Sequence, residues 1–110
     1  MGGQAPLASA TQDPFRINMQ VGYGPNLPSN PAPIPPATSW VDVLNWQTFL
    51  CSRGFTCPKD DLFGAVTQYA TKNFQNSALG GPPLPMTGSV NLNTYNKAVS
   101  AGMPAYPHIP

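Results

Sequence analysis

The chain has 110 residues, 8% of them charged, with a formal net charge of +1. That is room for one domain, and its five basic residues are too scattered to form a nucleic-acid footprint. It has no Glu and one histidine, His108, which argues against a glycosidase carboxylate pair, a histidine-centred triad or a catalytic zinc site.

The expectation is therefore a protein that is not an enzyme and holds no metal and no cofactor. An uncharged surface rich in Asn, Gln, Thr and Ser suits carbohydrate or burial among protein neighbours. The start "MGGQAPLASATQDPF" has neither the basic start nor the apolar core of a signal peptide, and Pro6 spoils a myristoylation signal. No run has transmembrane length, so no membrane insertion is expected.

Residues 1–38 hold eight of the fifteen prolines. Each removes a backbone donor and biases its predecessor to extended geometry, so this region reads as an extended Pro-rich N-terminal arm. "FRINMQVGY" (15–23) alternates apolar and polar residues and predicts one short strand. The arm has no core of its own and needs its own domain or a neighbour to lie on. It could also serve as a ligand for an aromatic-groove domain, but it lacks a repeated basic-flanked motif, so a packing arm is preferred.

At "SWVD" the texture changes. Ser39 and Asp42 form a capping-box-like start for a first helix over 40–52, with Val43, Trp46 and Leu50 on one face beside Leu44, and Gly54 as its left-handed stop. Cys51 and Cys57 lie six apart. Their spacing allows a disulfide closing a short loop or two reduced thiols; a zinc pair lacks its second half.

A second helix is predicted over 64–76, with Val66, Ala70 and Phe74 inward and Tyr69 alongside. After the loop "NSALGGPPLP", a third runs over 92–101, capped by Asn91 or Asn93 and stopped by Gly102. Residues 103–110 read as a Pro-rich C-terminal tail leaving the domain. The fold class is thus all-α: a small three-helix domain over 39–102, with an arm before it and a tail after it.

Within that domain "DDLFGAVTQYA" (60–70) and "TGSVNLNTYNKA" (87–98) echo one another, with Phe63–Thr67 and Val90–Thr94 at the same spacing. Each apolar residue should plug the core ahead of its helix, and each Thr could bond a backbone carbonyl.

These residues carry a resemblance. "VLNWQTFLCSRGF" supplies Val43, Trp46, Gln47, Leu50, Gly54 and Phe55. "DDLFGAVTQYATKNFQ" supplies Asp60, Phe63, Gly64, Thr67, Ala70, Phe74 and Gln75. "LPMTGSVNLNTY" supplies Leu84, Gly88, Val90, Thr94 and Tyr95. In this order and spacing, residues 40–102 resemble the peptidoglycan-binding domain family, the three-helix module attached to many cell-wall hydrolases. Asp61 stands where that pattern has its first turn Gly, Thr87 where it has the second Asp, and Asn91 where it has the following Gly. The resemblance implies a three-helix fold and contact with peptidoglycan.

The candidate ligand residues are Asp60, Gln47, Tyr69, Gln75, Tyr95 and Trp40. Each has a structural reading that comes first: Asp60 as a turn or cap acid, the two glutamines as ties for loops, and the aromatics as core or partial core. Phe63 and Phe74 read as core, Lys72 and Lys97 as solvated charges.

The expected role is a non-enzymatic structural component of a larger assembly, a phage virion, whose peptidoglycan-binding-like domain contacts the cell wall and whose arm grips protein neighbours. The alternatives are a targeting module for a cell-wall hydrolase and an ancillary subunit of a cytoplasmic complex.

Overall fold

The computed structural model describes residues 13–25, 32–33, 39–55 and 58–109. Their element order is β1 (Phe15–Arg16), α1 (Asp42–Ser52), α2 (Ala65–Gln75), α3 (Leu92–Ser100) and β2 (His108–Ile109). Three helices stand where the sequence places them, each shorter by a residue or two at its ends.

The start of α1 differs from the expected capping box. Its N-cap is Val41, with no side-chain cap bond. Asp42 turns inward instead, and its Oδ1 accepts from Val43 N at 2.8 Å. The Leu44 amide donates to Asp61 Oδ1 at 3.1 Å, a cap supplied from the next loop. At the other end Gly54 takes φ +85, and Phe55 N reaches back to Leu50 O at 3.0 Å. This Schellman-type closure needs the left-handed region that glycine enters freely. The end of α3 repeats it, with Gly102 at φ +109 and Met103 N on Ala98 O at 3.0 Å. Asn91 caps α3 as expected, its Oδ1 accepting from Thr94 N at 2.9 Å.

The buried face of α2 is Thr67, Ala70, Thr71, Phe74 and Gln75. Val66, expected inside, is 48% exposed. The reason is polar: Thr67, Thr71 and Gln75 have hydrogen-bond partners inside, so the helix turns those residues inward and leaves Val66 out. Trp46 Nε1 donates to Thr71 Oγ1 at 2.9 Å, and Thr71 Oγ1 donates to Thr67 O at 2.7 Å.

Two boundaries need correction. Residues 103–109 do not leave the domain: Met103 and Tyr106 are buried in the core, and β2 pairs in parallel with β1 (Phe15↔His108, Arg16↔Ile109). Nor is the segment before residue 39 only an arm, since Phe15, Arg16 and Met19 are buried too. Phe15 stacks on Tyr106 at 5.6 Å between ring centres and tilts onto Tyr95 at 5.1 Å. Helices of only 9 to 11 residues leave the core open at one side, and the two chain ends close it.

The strand expected over 15–23 holds only at Phe15–Arg16, with a single further bridge from Met19 to Val90. Positive φ at Asn18 (75) and Gly22 (101) bends the rest. The remainder of the proposed arm, 1–12, 26–31 and 34–38, lies outside the described residues.

Candidate functional site

Two buried glutamines clamp the loops ahead of α2 and α3. Gln47, on α1, is fully buried. Its Nε2 donates to Asp60 Oδ1, Leu62 O and Thr67 Oγ1, each at 3.0 Å, and its Oε1 accepts from Asp61 N at 2.9 Å. Gln75, on α2, is buried equally. Its Nε2 donates to Thr87 Oγ1 at 3.0 Å, Ser89 O at 2.9 Å and Thr94 Oγ1 at 2.9 Å, and its Oε1 accepts from Gly88 N at 3.0 Å.

The two sets match partner for partner. Each helix therefore holds the loop ahead of the next helix and a Thr one turn into it. The threonines accept from an amide side chain, where the sequence led us to expect a bond to a backbone carbonyl.

Asp61 and Gly88 hold the same place in the two clamps and share positive φ, 64 and 80. Asn91, at φ −73, is an ordinary extended N-cap. The plugs are as expected: Phe63 and Val90 are both buried. Each is stitched to the N-terminal segment in the same way. Gly22 N donates to Phe63 O at 3.0 Å and Phe63 N to Tyr23 O at 2.9 Å; Asn18 N donates to Val90 O and Val90 N to Met19 O, both at 2.8 Å.

Of the candidate ligand residues, Gln47 and Gln75 are thus inside, tying down loops. Tyr95 is also inside, its hydroxyl donating to Tyr106 O at 2.9 Å and accepting from Tyr106 N at 2.7 Å. Burial pushes the Tyr106 phenol up to about 12. Trp40 is buried beneath the Arg16 guanidinium, which lies 4.3 Å from its ring centre and 4.7 Å from that of Tyr23. None of these four presents a face.

Tyr69, by contrast, is 65% exposed, and Asp60 is at the surface. Asp60 Oδ1 accepts from both Gln47 Nε2 and Leu62 N, and these bonds hold its carboxyl below the usual range. Burial has the opposite effect on Asp61, raising its pKa.

Sequence reading missed two buried charges. Arg16 grips Asp42 through Nε to Oδ2 and NH2 to Oδ1, both 2.8 Å, while Arg16 N adds a third bond to Oδ2 at 2.9 Å. Arg16 NH2 also donates to Gly24 O at 2.9 Å, and NH1 has no partner among the described residues. The only available signal was an Arg between the apolar Phe15 and Ile17 in an alternating stretch.

Lys97 corrects the expectation of a solvated charge. It is 5% exposed and its Nζ donates to Ser77 O (2.6 Å), Gly81 O (2.8 Å) and Pro82 O (3.2 Å). Desolvation lowers its pKa. Lys72 stays partly exposed.

Cys51 is disulfide-bonded; Cys57, the other cysteine of the chain, lies outside the described residues. Among the described residues no helix is long and apolar enough to cross a membrane, and no three His, Cys, Asp or Glu side chains gather as a metal site. Compared with known proteins, the chain matches no family model, no curated protein and no solved structure.

Proposed function

We propose that this chain is a non-enzymatic structural component of a larger assembly, a phage virion, and that its helical domain contacts the bacterial cell wall. The observation that carries the reading is the doubled clamp. Gln47, Asp60, Thr67, Gln75, Gly88 and Thr94, the positions that carry the resemblance to peptidoglycan-binding domains, are the ones whose hydrogen bonds build the two loop-helix units. This supports the resemblance as one of architecture.

The clamps leave Tyr69 and Asp60 outward as contact residues, and the low charge of the chain suits a surface covered by neighbours. Since Phe15, Met19 and Tyr106 belong to the core, the test uses the full chain. Purified protein is incubated with insoluble peptidoglycan sacculi, with Tyr69→Ala alongside. Saturable co-sedimentation that Tyr69→Ala weakens without changing the melting temperature is the expected result. Absence of binding by folded protein overturns wall contact. Co-sedimentation of the chain with density-purified particles from its native source checks the virion assignment.

A further inference from the structure

We propose that the stripe formed by Leu62 just ahead of α2 and by Val66 and Tyr69 on its outer side, with Asp60 at its edge, docks an uncharged glycan strand. The proposal rests on the wall-contact reading above and specifies which part of the wall polymer is bound.

The first argument is an internal control. Thr67 and Thr94 lie 27 residues apart and fill the same place in the two clamps, as do Leu62 and Ser89, whose carbonyls accept from the clamp amides. At that offset Val66 corresponds to Asn93 and Tyr69 to Asn96. The second unit thus builds the same clamp with a partly buried Ser and two exposed Asn at these places. The fold does not require apolar residues there, yet the first unit exposes Leu62 by 47%, Val66 by 48% and Tyr69 by 65%. Val21, also half-exposed, adjoins Gly22, whose N–H bonds the Phe63 carbonyl.

Size and charge select the occupant. A few half-covered side chains fall far short of the ~800 Å² per partner of a standard protein interface. Val66 and Tyr69 stand about 5 Å apart along the axis of α2, with Leu62 just ahead of the helix, a span of sugar size and not of domain size. It contains no Lys or Arg, so it offers nothing to a polyanion.

At its edge Asp60 is a preset acceptor. Gln47 Nε2 and Leu62 N fix its Oδ1 and favour the ionised carboxylate, while Oδ2 accepts no hydrogen bond among the described residues. A carboxylate held this way takes a sugar hydroxyl. An exposed aromatic ring beside aliphatic side chains packs on the C–H face of a pyranose.

The test measures binding of the full chain to three probes: intact sacculi, soluble chitin oligosaccharides as the uncharged glycan, and stem peptides released from sacculi by amidase. The key variant is Val66→Asn with Tyr69→Asn, which installs the second unit's residues and so keeps the fold. We expect wild type to bind the chitin oligosaccharides, and the double variant to bind them at least ~10-fold more weakly with an unchanged melting temperature.

Binding to sacculi and stem peptides but not to the chitin oligosaccharides overturns the glycan while leaving wall contact standing. Binding to no probe overturns both. Undiminished binding by the double variant removes the stripe. A wild-type dimer in light scattering that the double variant dissolves makes the stripe a protein interface and overturns the proposal.

Discussion

Gln75 sits at zero exposure yet makes four hydrogen bonds, and losing it costs more than its own bonds. The Gly88 amide and Ser89 carbonyl would remain, and a buried polar group without a partner costs about 1–3 kcal/mol. Gln75→Ala should therefore destabilise by about 2–4 kcal/mol in urea denaturation; a change below ~0.5 kcal/mol would show that the clamp carries little energy. Phe63→Ala, which empties the plug of the Gln47 unit, should cost about 3–5 kcal/mol.

The paired acids Asp60 and Asp61 give opposite pH dependences. Asp60, lowered by the Gln47 amide, contributes stability above the usual carboxyl value of 3.8, lost as pH falls through its lower folded value. Asp61, raised mainly by burial, binds its proton more tightly folded than unfolded. Its favourable share is therefore present below 3.8 and lost as pH rises through its higher folded value. Asp61→Asn keeps the acceptor for Leu44 N and tolerates positive φ. It should flatten the pH–stability curve just above 3.8, as read by melting temperature against pH; an unchanged slope would refute the assignment.

At the scale of elements, each helix is anchored by a group from outside it. The loop between α2 and α3 is held by Lys97, whose buried ammonium gathers three carbonyls. Gly80, at φ +76, lies so close to α3 that a Cβ there would strike the Lys97 carbonyl. Gly80→Ala must therefore move backbone, and we expect a larger loss of stability than from Gly54→Ala, also at positive φ but with open space around it. Equal losses in thermal denaturation would mean that φ alone matters. The start of α1 depends likewise on the buried Arg16–Asp42 pair. Asp42→Ala should destabilise by about 3–5 kcal/mol, because it leaves the guanidinium buried without its counter-charge.

Over the whole molecule, the ends of the chain complete the core. Deleting residues 1–25 removes Phe15 and Met19 together with both stitches to the plugs; deleting 103–110 removes Tyr106 and β2. Either truncation should abolish the cooperative melt followed by circular dichroism. A residue 39–110 fragment that melts cooperatively would contradict this packing. If the disulfide of Cys51 closes onto Cys57, denatured intact protein should take up two alkyl groups only after reduction.

Much of this was legible locally. Helix positions, the glycine stops at Gly54 and Gly102, the Asn91 cap, the plugs Phe63 and Val90, and the repetition of two turn-helix units all follow from short-range spacing, since periodicity and capping act within a turn or two. Long-range partners decided the rest. Val66 faces out because Thr67, Thr71 and Gln75 find hydrogen bonds inside. Gln47, Gln75, Tyr95 and Trp40, read first as loop ties and core and second as ligand contacts, are all inside, and Arg16 and Lys97 are buried charges. A polar side chain enters a core only when partners distant in sequence are waiting there. Its burial is therefore a property of the assembled fold, as is the exposure that sets Tyr69 and Asp60 apart.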